Sequence, residues 1–495
     1  MFFTSTRSRM NVTSSEAISR GIAADGGLFV PESFPQFSDG DIQRLAQMDY
    51  RGRAEVVLSK YLTDFPAGEI AACVKGAYTG TFDNDNPAPV SLAAPGTWML
   101  DLWHGPTCAF KDLALQILPY LLSCSAKRTM PGKTVVILVA TSGDTGKAAL
   151  EGFADVPGTR IIVFYPENGV SAMQKLQMTT QPGKNVAVCA INGNFDDAQT
   201  GVKNIFSDKN MQAALADENM VFSSANSINF GRLVPQVVYY VSAYCDLLKN
   251  NAVKPGEKFN VVVPTGNFGN ILAAVYAKRM GIPIGKFICA SNRNHILTDF
   301  IRTGVYDRNR EFYLTTSPSM DILISSNLER MLYHLYQNDS DAVAKLMESL
   351  KTTGRYEVSA GVLAALQNEF WGGFCDDEAA GKTIGEYFRD HQTLCDPHTA
   401  VALNVLQQYR EATQDNTVCV VASTASPYKF APAVLPEVTG ESIPENGFEV
   451  VDMLSRVTGT AIPQPLANLK SASVIHKNCV EKEDMPEFVL KAVRQ

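Results

Sequence analysis

The chain contains no Cys-x-x-Cys pair, and none of its 10 cysteines, scattered from Cys73 to Cys479, is spaced against a histidine as a zinc ligand would be. A zinc module and a disulfide framework are therefore not indicated, and most of the cysteines read as reduced core residues of a cytoplasmic protein. No two of the 6 histidines have the spacing of a helical metal site, so no metal is expected. No apolar run approaches the roughly 18 residues that a membrane-crossing helix takes, so no membrane partner is expected. Met1 to Asn11 carries Arg7 and Arg9 but lacks the apolar centre of a secretory leader. Basic residues are in the minority, 43 against 51 acidic for a net charge of -8, which argues against a nucleic-acid partner and for a small molecule. Also missing are the Walker A spacing, G-x-G-x-x-G and the G-x-S-x-G elbow of a serine hydrolase, which removes ATP binding, dinucleotide binding and hydrolysis from the first rank.

What is present is an α/β pattern. Lys133 to Ala140 (KTVVILVA) is an unbroken, β-branched apolar run, followed by the polar turn Thr141 to Gly146, a helical stretch from Lys147 to Phe153 and a second apolar run from Arg160 to Tyr165. The order repeats at Phe259 to Val263, loop Pro264 to Asn270, helix Ile271 to Met280 and strand Ile284 to Ala290. Unalternating runs of this kind suit parallel strands buried on both faces, whose ligand loops lie at the strands' carboxyl ends. Asn185 to Ile191 and Thr417 to Ala422 read as further strands, Asp196 to Phe206 as a helix, and Asp321 to Glu348 as mostly helical with a break near Asn338. The organisation expected is a small N-terminal domain (1–88), a catalytic region of two α/β lobes (89–434), and a C-terminal extension (435–495) that packs on it without an assigned chemical role.

One lysine stands out. Lys111 sits in His104 to Gln116 (HGPTCAFKDLALQ), where Gly105-Pro106 gives a turn and Phe110, Leu113 and Leu115 surround the lysine at the start of a helix. Burial there would disfavour the ammonium and free a nucleophilic amine. The plainer alternative is a solvated lysine whose stem covers apolar surface. Pro264 to Asn270 leads from a buried strand into a helix, so amide groups and the positive end of the helix dipole converge where a phosphate would fit; by itself the stretch serves equally as a plain turn. Ser142 to Gly146 holds the corresponding place in the first unit, with helix capping by Asp144 or Thr145 as the alternative. Asn226 to Arg232 supplies amides, a hydroxyl and a guanidinium suited to a phosphorylated or carboxylated substrate.

A lysine in an apolar window, a phosphate cradle and a hydroxyl-rich loop are what a pyridoxal-phosphate enzyme needs. With those residues in hand, the chain resembles the threonine synthase family. The matching motifs are HGPTCAFKDLALQ from His104, ATSGDTG from Ala140, NSINFGRLVPQ from Asn226, VPTGNFGN from Val263, SPSMD from Ser317, DPHTA from Asp396 and STASPYKF from Ser423, with Ala23 to Pro31 matching the family's leading domain.

The resemblance implies a fold-type II enzyme of the tryptophan synthase β type, with two parallel-sheet lobes and pyridoxal 5'-phosphate as cofactor. It implies that Lys111 forms the Schiff base, that Gly266, Asn267, Phe268, Gly269 and Asn270 hold the cofactor phosphate, and that Thr424 meets the pyridine nitrogen. Asn226, Ser227 and Arg232 would hold the substrate's phosphate. The implied reaction is that of a carbon–oxygen lyase acting on phosphate: O-phospho-L-homoserine and water give L-threonine and phosphate, the last step of threonine biosynthesis, carried out by a cytoplasmic monomer or homodimer. The alternatives are a phospholyase that eliminates phosphate to a 2-oxo acid and a non-catalytic amino-acid-binding protein. Cys108 stands where leucine is expected, and Asn270 where some members have aspartate. Asp144 replaces an asparagine that related enzymes offer to the cofactor's phenolate oxygen, and its charge would repel that oxygen. Ser142 or Thr145 is therefore expected to donate there, with Asp144 turned toward backbone amides and Asp112 acting as a structural partner only.

Overall fold

Two sheets carry the molecule, and the strand runs of the sequence supply their centres. The structure, a computed structural model, describes residues 1–141, 143–168, 170–440 and 447–494, and all of their side chains except that of Asp196. In the smaller sheet the order is Asn478–Glu481, Val186–Asn192, Thr159–Pro166, Thr134–Ala140, Met220–Ser223, with every neighbouring pair parallel. In the larger the order is Phe370–Phe374, Ile284–Ser291, Phe259–Pro264, Cys419–Ser423, Thr97–Asp101, Val90–Ala94, parallel except for the antiparallel hairpin formed by the last two. The chain is thus α/β with two parallel-sheet lobes.

Alternation along each strand assigns its side chains to two cores. Val135, Ile137 and Val139 face a shared inner core, whereas Val136 and Leu138 face an outer one beneath helices Phe195–Ser207 and Met485–Arg494. In the larger sheet Val261 and Val263 point to the same inner core and Val262 to the layer under helix Pro397–Thr413. Such strands have no solvent face, hence their continuous apolar sequence. Between the sheets runs helix Phe230–Lys249, in which every residue from Phe230 to Leu247 is buried. A helix apolar on all sides must be enclosed, and each aliphatic side chain it buries contributes about 2 kcal/mol. Phe3, Leu58 and Tyr61 from the first eighty residues lie in the same inner core. Gly26 takes the left-handed turn (φ 77°) before strand Phe29–Pro31, and the Arg7 guanidinium clasps Glu329 through two 2.8 Å hydrogen bonds.

Two segments differ from expectation. The stretch read as helical from Asp321 forms a helix only at Leu328–Leu335 and again at Ser340–Thr353. Residues 321–327 are irregular because their side chains bond the backbone of other segments: Ser325 Oγ donates to Gly266 O at 2.7 Å and Asn327 Nδ2 to Asn267 O at 3.1 Å. The C-terminal stretch adds strand Asn478–Glu481 to the open edge of the smaller sheet, covering backbone groups that an edge would leave unpaired. No helix among the described residues is long and apolar enough to cross a membrane.

Candidate active site

Lys111 opens the short helix Asp112–Leu115 at the meeting point of the lobes. The turn before it is locked by Asp112, whose carboxylate accepts the Thr107 amide at 2.9 Å and the Thr107 hydroxyl at 2.6 Å. Burial pushes the Asp112 carboxyl up to about 6 against the pull of those two bonds. Gly105 faces Asp112 so closely that a β-carbon there would lie 2.5 Å from the aspartate's own. Gly152 meets Leu115 in the same way, at 2.0 Å from its carbonyl oxygen, so the Lys111 segment is pressed against helix Asp144–Phe153.

The lysine itself is buried, and its Nζ donates to Ser319 Oγ at 3.2 Å. Burial is the largest influence on it and favours the neutral amine. Asp144 opposes, Lys429 and Arg232 reinforce, and the net pKa lies below that of an ordinary lysine.

Asp144 does not turn toward backbone amides. Its Oδ1 accepts from Lys429 Nζ at 2.7 Å and from Gln174 Nε2 at 3.1 Å, and its Oδ2 lies 3.6 Å from Lys111 Nζ. The amides it was expected to cap are taken instead by Thr141 Oγ1, which accepts from Gly143 N and Gly146 N at 2.9 Å each. Burial alone would push the Asp144 carboxyl up, but Lys429 and Lys111 outweigh it and hold the group far below the usual carboxylate range. Lys429 is anchored in turn by donating to Thr107 O at 2.9 Å. The charge that the sequence set against a phenolate is therefore balanced by a second buried lysine. Thr145 is partly buried in the first turn of the adjoining helix, and Ser142 lies outside the described residues.

The loop from Gly266 to Asn270 faces the same place. A β-carbon at Gly266 would fall 2.5 Å from Ser319 O, so only glycine lets the loop touch the Ser317–Asp321 turn that contacts Lys111. Phe268 adopts the left-handed conformation (φ 61°), and helix Gly269–Arg279 starts directly after it, leaving its first amides without intrahelical partners. The carbonyl of Asn267 is occupied, accepting Asn327 N at 3.0 Å, and Ser326 Oγ donates to Asn267 Oδ1 at 3.3 Å. The Tyr240 hydroxyl donates to Asn270 Oδ1, and Asn270 Nδ2 is buried without a partner among the described residues. Thr424, at the end of strand Cys419–Ser423, is buried, and its carbonyl accepts Phe110 N at 2.8 Å, next to Lys111.

Arg232 stands in the first turn of the central helix and is buried. Nη1 donates to Ala225 O at 2.7 Å, and among the described residues Nε has no partner and no carboxylate pairs with the guanidinium. Burial pushes its pKa down to about 10. Ser227 Oγ lies 3.3 Å from Ser326 Oγ, while Asn226 is exposed at the rim. The structure thus gathers Lys111, Thr424, the 266–270 loop, Arg232 and Ser227, with Asn226 and Thr145 at the margin. Lys429, Gln174 and Ser319 join the cluster without having been singled out. The signal for Lys429 was a second lysine in an otherwise uncharged motif, STASPYKF.

A group with anionic oxygens and a reactive carbonyl fits these residues. Among the described residues Asn270 Nδ2 and Arg232 Nε are buried donors left without an acceptor, and such groups are costly unless something bonds them. The buried amine of Lys111 is the nucleophile a carbonyl requires.

Comparison with known proteins gives three family models in succession: "Threonine synthase N terminus" over residues 2–78, "Pyridoxal-phosphate dependent enzyme" over 91–424, and "Threonine synthase, C-terminal" over 399–471. Human "Threonine synthase-like 1" is 42% identical over 442 residues, covering 87% of this chain, which spans only 58% of that relative's length. "Threonine synthase" of Pseudomonas aeruginosa is 37% identical, with 92% of this chain and 94% of that protein covered. The crystal structure titled "PLP bound Threonine synthase from Brucella melitensis" superposes with a TM-score of 0.87 at 35% identity, covering 100% of both chains.

Proposed function

The chain belongs to the threonine synthase family of pyridoxal-phosphate-dependent enzymes, and from that membership we propose that it turns O-phospho-L-homoserine and water into L-threonine and phosphate. The observation that supports the reading is a buried lysine of lowered proton affinity beside a buried arginine that has no carboxylate partner among the described residues. The first is what carbonyl chemistry needs, and the second is what a doubly charged phosphate ester needs.

Bound pyridoxal phosphate supplies an electron sink for negative charge that develops on the substrate's carbon atoms. The amides from Gly266 to Asn270, with Asn270 Nδ2, would hold its phosphate, and Thr424 Oγ1 would meet its ring nitrogen. Ser142 or Thr145 would serve its phenolate oxygen, with Asp144 paired to Lys429. Lys111 would be the residue placed against its carbonyl carbon, and the lysine amine would move protons at the substrate's Cα and Cβ. Arg232, with Ser227 and Asn226, would grip the substrate's phosphate and stabilise it as the Cγ–O bond breaks and the electron pair leaves on oxygen. Water then adds its hydroxyl to Cβ, and a proton returns to Cγ.

The test is product analysis of the purified protein supplied with O-phospho-L-homoserine. Equal amounts of threonine and phosphate are expected. Phosphate with 2-oxobutyrate and no threonine would make the chain a phospholyase, and no turnover without a visible cofactor band would leave an amino-acid-binding protein.

The proposal also places Lys429 in control of Lys111. Lys429→Met removes a positive neighbour that disfavours the Lys111 ammonium and leaves Asp144 to pair with Lys111 alone. Both changes favour the protonated lysine, so the pH at which apoprotein takes up cofactor should rise. A visible-absorbance titration of the variant, with circular dichroism to check the fold, measures this. An unshifted midpoint removes Lys429 from the role.

A further inference from the structure

The Ser317–Asp321 turn stands between Lys111 and the 266–270 loop, and a buried pair at the start of helix Pro397–Thr413, its N-cap Asp396 and His398, sets its position. Ser319 N donates to His398 Nε2 at 3.2 Å, and His398 Nδ1 lies 2.6 Å from Asp396 Oδ2. Both His398 and Asp396 are buried. Asp396 is fixed by the His398 amide at 3.0 Å, the Thr399 amide at 3.2 Å and the Thr399 hydroxyl. Phe430, next to Lys429, packs edge-on to the imidazole at 4.9 Å between centroids.

This geometry fixes the tautomer without any observed hydrogen. A backbone amide can only donate, so Nε2 must be the unprotonated, accepting nitrogen. Nδ1 then carries the proton and donates to Asp396. The succession aspartate, histidine, serine resembles a hydrolase triad, but the histidine takes the serine's amide and not its hydroxyl. It therefore cannot activate that hydroxyl as a nucleophile. What it does is hold the backbone of Ser319, whose carbonyl side is pinned by the glycine at 266 and whose Oγ receives the Lys111 proton donor.

We propose that His398, oriented by Asp396, is a positioning residue that holds the Ser319 hydroxyl against Lys111 and so keeps the lysine amine aligned with the carbonyl it attacks. The proposal rests on Lys111 being the residue that holds the cofactor, and it goes beyond the reading above by assigning a role to residues outside the direct contacts. Ser319 Oγ can accept the hydrogen bond from Lys111 Nζ only while the turn stays at its present height. A loose turn would leave the amine free to sample other rotamers, and a lysine has many.

The test measures cofactor loading and not turnover, so it stands even if the chain makes no threonine. Apoprotein is mixed with pyridoxal 5'-phosphate and the visible band is followed in time for wild type, Ser319→Ala, His398→Leu and the double variant. Each single change should slow loading about tenfold, the effect of losing one well-placed hydrogen bond. Because the two residues act as one unit, the double variant should be no slower than the slower single. His398→Gln, whose amide oxygen takes the place of Nε2, should recover most of the rate, whereas His398→Asn, too short to reach Ser319 N, should not. These two polar variants keep the test decisive if His398→Leu fails to fold. Loading of His398→Asn at the wild-type rate, or effects that multiply to about a hundredfold in the double variant, would overturn the proposal. Failure of Lys111→Ala to affect loading would instead sink the cofactor assignment beneath it.

Discussion

Lys111→Ala is expected to lose threonine formation by at least about 10³-fold, the scale at which a positioned acid–base group contributes, with further loss from the missing nucleophile. The visible band should disappear when the variant is desalted, because nothing remains to hold the cofactor covalently. The fold should survive. Asp144 keeps its 2.7 Å ion pair with Lys429 and its bond from Gln174, so removing Lys111 does not strand a buried carboxylate. Lys111→Arg should be as inactive, since a guanidinium is not a nucleophile at neutral pH. The measurements are an absorption spectrum after gel filtration, phosphate release, and a thermal melt. A variant that keeps both its band and its turnover would remove Lys111 from the chemistry.

The second large effect is expected at Arg232. Its guanidinium is buried, and among the described residues it pairs with no carboxylate and its Nε has no partner. Replacing it with methionine should lower kcat/KM for the phosphorylated substrate by about 10²- to 10³-fold, the value of one or two charge-assisted bonds to phosphate. Without substrate, the same variant should melt no lower than wild type, because an uncompensated buried charge gives way to an apolar side chain of similar length. Adding inorganic phosphate to the loaded enzyme should raise the melting temperature of wild type and not that of Arg232→Met. A structural arginine would behave the opposite way, so a large drop in melting temperature with an unchanged KM would refute the assignment.

The central strands and the position of Lys111 were legible because they depend on local pattern. Strands buried on both faces have to be apolar along their whole length, and the run through Val135 to Val139 announces itself without reference to any partner. The loop from Gly266 to Asn270 was legible for a related reason, since a glycine between a buried strand and a helix marks close approach of backbone. Residues 321–327 were not. Their apolar spacing permits a helix, and they lose it to side-chain bonds with a loop that is distant in sequence. Strand Asn478–Glu481 was equally hidden, since its pairing with Val186–Asn192 depends on an open sheet edge and not on its own composition.

Asp144 marks the boundary between the two kinds of information. The sequence by itself determined the parts: an α/β chain, a lysine in an apolar window, a glycine-bearing loop between a buried strand and a helix, an arginine near hydroxyls, and an aspartate where a neutral residue was expected. Only the tertiary structure decided the charge state those parts create together. It brings Lys429 within 2.7 Å of Asp144, gives the helix amides to Thr141, and places Arg232 close enough to Lys111 to disfavour its ammonium. Electrostatic energy depends on the distance and burial of groups from any part of the chain, and those quantities exist only once the lobes have closed around one another.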